Sequence, residues 1–247
     1  MLVIILLFTF LASIVSLILV SALVLHKSFH KISFSLVSFA AGALLATGFL
    51  DTFKEAVAIA GNAVFLWTLV SIAVFFIVER IFLLLHHHDH HEENKEQLKM
   101  PASFLIFGDA LHNIVDGASI AASFLAAFPL GVITTTAVFV HEIPHELGDF
   151  GILIHKGWGR KKAIVFNGLS GLAAILGAVF TFYLGSHFKL VIPVLLSIAT
   201  GNFIYLSATD LLPEIHHRTD KKEAIYHSLL FLLGIVLIVV LMQFIAA

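Results

Sequence analysis

Long apolar stretches dominate the sequence, and short breaks with Gly, Pro, Asn or charged residues separate them. A helix that crosses the hydrocarbon core of a bilayer needs about 20 mostly apolar residues. Eight stretches meet this requirement, with approximate bounds 2–25, 33–60, 62–85, 101–127, 130–155, 161–185, 189–214 and 223–246. The pattern therefore predicts an all-α, polytopic membrane protein with eight transmembrane helices in a bundle, which we number as spans 1 to 8.

The first stretch and the positive charges predict the orientation. No positive segment or small-residue cleavage site precedes Lys27, so we interpret span 1 as a retained helix rather than a signal peptide. Only Lys54 and Lys189 of the 14 Lys and Arg lie in the connections on one side. The remaining 12 lie on the opposite side of the membrane. Because cytoplasmic connections carry the excess of Lys and Arg, that opposite side is predicted to be cytoplasmic. With eight spans, both termini are then extracytoplasmic.

The composition excludes several other classes of protein. Hydrophobic residues make up 60% of the chain and charged residues 12%, and the mean hydropathy is +1.03. A soluble domain is about half apolar and about one quarter charged, so a soluble enzyme and a disordered chain are excluded as leading interpretations. The net charge of −2 does not favour a nucleic acid partner. Cysteine is absent, which excludes disulfides and thiolate metal sites.

Two spans carry polar residues at membrane depth. The chain has 15 His, more than its 14 Lys and Arg. Residues 108–117 in span 4 read GDALHNIVDG, and residues 141–149 in span 5 read HEIPHELGD. A charged group inside a bilayer costs several kcal/mol unless it is paired, hydrated or bound, so such residues are functional-site candidates.

Helical spacing brings these side chains onto common faces, because residues four apart point the same way. In span 4 this pairs His112 with Asp116. In span 5 it produces two neighbouring rows, His141–His145–Asp149 and Glu142–Glu146. His112 and His141 each lie about 16 Å into their spans, at about 1.5 Å per residue. Both clusters are therefore predicted near the middle of the bilayer, on two neighbouring helices, the second kinked at Pro144.

The chemistry of these residues suits a divalent cation. Imidazole and carboxylate bind zinc, and added amide oxygen tolerates iron, manganese or cadmium. A structural polar network is the alternative, but such networks usually use one or two Ser, Thr or Asn.

Residues 112–116 also align with residues 141–145 in a helix of opposite direction. That likeness predicts an inverted repeat that meets at a midplane site.

A competing interpretation comes from His141-Glu142-x-x-His145, which matches the H-E-x-x-H signature of zinc proteases. An intramembrane zinc metalloprotease with Asp116 as third ligand is therefore the alternative function. Pro144 distorts the turn that must align both His, and the Asp-Gly element here precedes the motif instead of following it. We accordingly expect that the protein is not an enzyme.

The sequence resembles the ZIP (Zrt/Irt-like) metal transporter family over essentially its whole length. The resemblance rests on H-N-x-x-D-G from His112 and H-E-x-P-H-E-x-G-D from His141, the latter most like the subgroup with H-E-x-P-H-E. It implies one transporter domain over 1–247 that moves Zn²⁺, with Fe²⁺, Mn²⁺ and Cd²⁺ as further cargo, into the cytoplasm. It also implies a homodimer in a plasma or inner membrane, and no organic cofactor.

The resemblance further implies a binuclear metal centre between spans 2, 4, 5 and 6. The ligands of the first ion would be Asp51, His112, Asp116, His141 and His145. The second ion would share His145 and take Asn113, Glu142 and Asn167. The subgroup often has His at the position of Asp51 and Asp one turn earlier, where this chain has Thr47.

Two weaker features lie on the predicted cytoplasmic side. The tract His86-His87-His88-Asp89-His90-His91 begins a connection over about 86–100, and either captures metal or is a solvated linker. Four polar residues near the end of span 7 either form an exit path or mark a helix end in water. They are Asp210, Glu214, His216 and His217.

Overall fold

The computed structural model describes residues 1–23, 29–84, 102–216 and 221–245, which are almost entirely helical and contain no strand. The His-rich tract lies outside these residues. In chain order the α-helices are α1 (Leu2–Leu23), α2 (Phe29–Ala46), α3 (Phe53–Ala60), α4 (Ala63–Leu84), α5 (Ala102–Ala126), α6 (Phe128–His155), α7 (Arg160–Gly171), α8 (Ala173–His187), α9 (Ile192–Leu206), α10 (Leu212–His216) and α11 (Lys221–Ile245).

Within the described residues, each of the eight predicted spans is predominantly helical, which confirms the all-α class. By length and composition, six helical stretches in the described residues are apolar enough to cross a membrane. They are Leu2–Ala22, Phe34–Ala60, Ala63–Ile81, Arg160–His187, Lys189–Leu211 and Lys221–Ile245. The two predicted spans missing from this set are α5 and α6, which are long enough at 25 and 28 residues but carry the polar clusters. The count of eight spans stays a prediction.

Two π-helical turns interrupt the helices of spans 2 and 7. Thr47–Thr52 form the first, between α2 and α3, and Ser207–Leu211 form the second, between α9 and α10. The hydroxyl groups of Thr52 and Thr200 hydrogen bond at 2.8 Å, which joins the first turn to α9. A π-helical turn adds one residue to a helical turn and is frequent at functional sites. Each of these two turns carries one aspartate.

The helices α5 and α6 are antiparallel neighbours, as the sequence predicts. Only Ala127, in extended conformation, separates them, and α6 has Pro129 in its first turn, where a missing N–H leaves no hydrogen bond unmade. Beyond this start α6 runs through Pro144 to His155 as one helix. The short connection places the middle of α5 beside the middle of α6.

Close backbone approach fixes α8 against α5. A Cβ atom at Gly117 would lie 1.8 Å from the carbonyl oxygen of Ala174, and one at Gly177 would lie 1.9 Å from that of Ile114. Any side chain at either position would force the two helices apart. Small residues at such contacts are typical of helix packing in membranes.

Two groups of helices meet around the polar residues. Helices α1, α5, α6, α7 and α8 pack among themselves, and so do α2, α3, α4, α9 and α11. The groups join where α2 packs against α6 and where α9 packs against α5. The polar clusters of α5 and α6 therefore lie beside the boundary between the two groups.

Candidate metal centre

Four metal-ligating side chains converge between the middles of α5 and α6. His112 and Asp116 lie one turn apart on α5, and His141 and Glu142 are consecutive on α6. Each offers one ligand atom, and these four atoms lie within 4.8 Å of one another. We call these residues the first group.

The separations inside the first group match a small tetrahedral ion. Nε2 of His141 is 3.0 Å from Oδ2 of Asp116, and Nε2 of His112 is 3.5 Å from the same oxygen. Oε1 of Glu142 is 3.6 Å from Nε2 of His112 and 3.7 Å from Nε2 of His141. Two ligand atoms at about 2.0–2.1 Å from a tetrahedral zinc ion are about 3.3 Å apart. These four separations of 3.0–3.7 Å are thus close to the edge length of a zinc coordination tetrahedron.

Three of the four residues of the first group are almost completely buried. Asp116, His141 and Glu142 are each 1% exposed. Neither carboxylate oxygen of Glu142 receives a hydrogen bond in the part of the chain described. A buried charge without a partner is costly, and buried charges are normally paired or coordinate a metal. A bound cation would balance the two buried carboxylates of the first group, and its geometry suits a divalent one.

Two further contacts orient the ligands. Nδ1 of His141 is 3.1 Å from the carbonyl oxygen of Ala137. Because a carbonyl only accepts, Nδ1 must carry the proton, which leaves the Nε2 lone pair free for a metal. Nδ2 of Asn202, on α9, donates to Oδ1 of Asp116 at 3.4 Å. The sequence reasoning missed Asn202, although a polar residue in the middle of an apolar span was the available signal.

A second group, Asp109, His145 and Asp149, lies next to the first on the same two helices. Nε2 of His145 is 3.8 Å from Oδ1 of Asp109 and 3.9 Å from Oδ2 of Asp149. The ring of His145 stacks on that of His112 with centroids 4.7 Å apart. The predicted row of span 5 is therefore divided, with His141 in the first group and its other two members in the second.

The two asparagines of the predicted set are buried beside these groups. Asn113 donates through Nδ2 to the main-chain oxygen of Asp109 at 3.0 Å and to its Oδ1 at 2.9 Å. Asn167, on α7, donates to the main-chain oxygen of Glu146 at 3.4 Å. Glu146, which shares the second predicted row of span 5 with Glu142, accepts a hydrogen bond from Ser16 of α1 at 2.8 Å. The expected sharing of ligands between two ions stays a prediction.

Asp51 lies on the first π-helical turn, outside both groups. Its Oδ2 atom is buried and has no hydrogen-bond partner in the described residues. On the second π-helical turn, Oδ1 of Asp210 accepts from Thr209 at 2.8 Å. The predicted roles of Asp51 as a ligand and of Asp210 on an exit path stay predictions. His217 lies outside the described residues, as do the side chains of Glu214 and His216.

Comparisons with known proteins agree with this chemistry. The family model described as ZIP Zinc transporter matches residues 84–242, which include both groups. Zinc transporter ZIP10 of Danio rerio is 40% identical over 122 residues, which are 49% of this chain and 14% of the relative. Zinc transporter foi of Drosophila melanogaster is 39% identical over 139 residues, 56% of this chain and 19% of the relative.

A third relative shows the same pattern of coverage. Zinc transporter ZIP4 of Rattus norvegicus is 37% identical over 139 residues, 56% of this chain and 20% of the relative. The chain thus spans at most about one fifth of the length of these three relatives.

Proposed function

The chain belongs to the ZIP zinc transporter family, and from this premise we propose that it transports zinc ions across a membrane. It is an integral, multi-pass membrane protein, as its apolar helices indicate. The relatives named above are called zinc transporters, which favours transport over the zinc-protease alternative. On this proposal the metal is cargo, and the protein is not an enzyme.

One observation carries the proposal: four ligand atoms, three of them from buried residues, lie within 4.8 Å of one another. His112, Asp116, His141 and Glu142 supply two nitrogen and two oxygen atoms. Mixed nitrogen and oxygen ligation without thiolate suits a site that must load an ion and release it. The same donors accept Fe²⁺, Mn²⁺ and Cd²⁺, which we propose as further cargo.

We assign the predicted ligand set to a binuclear centre between spans 2, 4, 5 and 6. The first ion lies in the first group, Asp51 contributes from the first π-helical turn, and His145 is shared with the second ion. The second ion lies on the side of His145, near Asn113 and Asn167, both of which are buried. Its proposed ligands are Asn113, Glu142, His145 and Asn167.

The direction of transport and the assembly are also proposals. The positive connections favour extracytoplasmic termini. The family resemblance implies inward movement, and we propose it for this chain, through a plasma or inner membrane. The unit is residues 1–247 as one transporter domain, and the assembly is a homodimer.

Zinc flux in proteoliposomes tests the proposal. The purified chain is reconstituted with a zinc-sensitive dye inside the vesicles, and Zn²⁺, Fe²⁺, Mn²⁺ and Cd²⁺ are offered in parallel. We expect zinc influx from the unaltered chain, and its near loss in His141→Ala. Glu79→Gln, a change outside both groups, is the matched control and should retain influx. Absence of zinc flux together with cleavage of a membrane peptide would support the protease instead.

A further inference from the structure

Asp109 and Asp149 belong to neither ion in the ligand set described above. We propose that they form, with His145, an inner subsite that binds a divalent cation of the zinc type after it leaves the first group, and that His145 is shared between this subsite and the binuclear centre. This inference rests on the proposed function and adds one position to the path of the ion.

The geometry brings three donors of the right kind together. One oxygen from each of Asp109 and Asp149 and a nitrogen of His145 lie within 4.8 Å of one another. Asp109 is held in place, because Oδ1 accepts from Asn113 and Oδ2 accepts from Ser170. A carboxylate that is fixed by such hydrogen bonds is oriented for a ligand before the ligand arrives.

The charge in the second group is unbalanced. Asp109 is 6% exposed and Asp149 is 8% exposed. The ion pair of each carboxylate within the described residues is with the same imidazole, that of His145. No side-chain hydrogen bond reaches Asp149 in that part of the chain, so its carboxylate has His145 as its one polar partner. A single imidazole cannot neutralise two buried carboxylates, and a bound cation would.

The second group lies further along the path than the first. Asp109 precedes His112 on α5, and Asp149 follows His145 by one turn on α6. Asp109 therefore lies nearer the Ala102 end of α5, and Asp149 lies nearer the His155 end of α6. These are the helix ends that adjoin the predicted cytoplasmic connections. An inward-moving ion would therefore meet the first group before the second.

The contact between His112 and His145 provides the transfer step. Their rings stack with centroids 4.7 Å apart, so an ion needs to move only a few Å between groups. His145 has a side chain 29% exposed, against 1% for His141. The donor separations of 3.8 and 3.9 Å also exceed the roughly 3.3 Å edge of a zinc tetrahedron. The inner subsite is thus wider and wetter, and should hold zinc more weakly.

Zinc titration of the purified full chain tests the subsite. The five His of the tract are replaced by Ser in every sample, so that they bind no zinc: His86→Ser, His87→Ser, His88→Ser, His90→Ser and His91→Ser. Into this background we introduce Asp149→Asn, with Asp109→Asn as an independent second variant. Asp116→Asn serves as the comparison at the first group, and Glu79→Gln as the control outside both. Equilibrium dialysis with zinc gives the number of ions bound and their affinities.

We expect Asp149→Asn to lose one of the weaker zinc equivalents while its tightest equivalent keeps its affinity within about threefold. Asp109→Asn should do the same, whereas Asp116→Asn should weaken the tightest equivalent. Retention of every equivalent at unchanged affinity in both Asp109→Asn and Asp149→Asn would overturn the subsite. Loss of the tightest equivalent in either would also overturn it, since the two groups would then be one site. Failure of the proposed function is distinct, because the unaltered chain would then show no zinc flux.

Discussion

The Nε2 atoms of His112 and His141 lie 3.2 Å apart, although the two histidines are 29 positions apart in the chain. This distance is close to the separation of two nitrogen ligands on one tetrahedral zinc ion, about 3.3 Å. Both nitrogens also face Oδ2 of Asp116. The two helices thus present a nearly complete coordination shell.

Removal of one charge from the first group should weaken zinc binding. Asp116→Asn preserves the shape of the side chain but replaces the oxygen that lies 3.0 Å from His141 with an uncharged amide group. We expect the zinc Kd to rise at least tenfold, about 1.4 kcal/mol, in isothermal titration of the detergent-solubilised protein. Glu79→Gln, on α4, should leave the Kd unchanged. Equal Kd values for Asp116→Asn and the unaltered chain would contradict the assignment.

The hydrogen bond from Asn202 of α9 to Asp116 should strengthen zinc binding, although Asn202 is not itself a proposed ligand. Asn202→Ala removes the amide that donates to Asp116 at 3.4 Å. Loss of such an orienting partner costs about 10- to 100-fold in metal affinity. Ser197→Ala, on the same helix, removes a buried hydroxyl that donates only to Pro193 of its own helix. We expect weaker zinc binding for Asn202→Ala alone, and similar affinities in both variants would count against the orienting role.

Close packing of α5 and α8 predicts a stability effect. In Gly117→Ala the new methyl group would overlap the main-chain oxygen of Ala174, which can move only with its helix. Overpacking of this kind costs about 1–3 kcal/mol, so the Tm in detergent should fall. Gly151→Ala is the matched control, because nothing lies within 4 Å of a Cβ at that position. A Tm for Gly117→Ala as high as that of Gly151→Ala would show that the helices separate freely.

Zinc binding should release protons. Imidazole and carboxylate ligands must be deprotonated before they bind a metal, so acid competes with zinc. We expect the zinc affinity to fall from pH 7.5 to pH 5.5, since more ligands are protonated at the lower pH. Titrations in buffers of different ionisation enthalpy measure the protons released. Affinity that is independent of pH, with no proton release, would contradict ligation by His112 and His141.

The sequence predicted the helices and the pairing of His112 with Asp116, because both follow from local spacing along one helix. Local spacing alone did not predict which side chains of α6 lie beside that pair. The family resemblance predicted His141 and His145, and the structure brings His141 and Glu142 there. The row of His141 and His145 on one helix face divides between two groups, since the rotation of α6 against α5 depends on packing. Packing contacts such as that of Gly117 with Ala174 join residues far apart in sequence, where spacing arguments do not reach.

The positions of Asp51 and Asn202 show two other limits of sequence reasoning. The apolar pattern predicts one helix over residues 33–60 but not the π-helical turn at Thr47–Thr52, and the residue that this turn adds shifts the helix face on which Asp51 lies. Asn202 is the one amide side chain of α9 and has no carboxylate or imidazole on the same helix, so no spacing pattern marked it as part of a metal site. Its role depends on α9 packing against α5, which only the three-dimensional structure reveals.

The position of bound zinc tests the central claim most directly. Crystals of the zinc-loaded chain, measured on both sides of the zinc absorption edge, locate the ion by its anomalous signal. We predict the strongest peak between α5 and α6, about 2.0–2.2 Å from Nε2 of His112, Nε2 of His141 and the carboxylates of Asp116 and Glu142. If the chain transports zinc but its strongest anomalous peak lies away from all four of these residues, the account is contradicted.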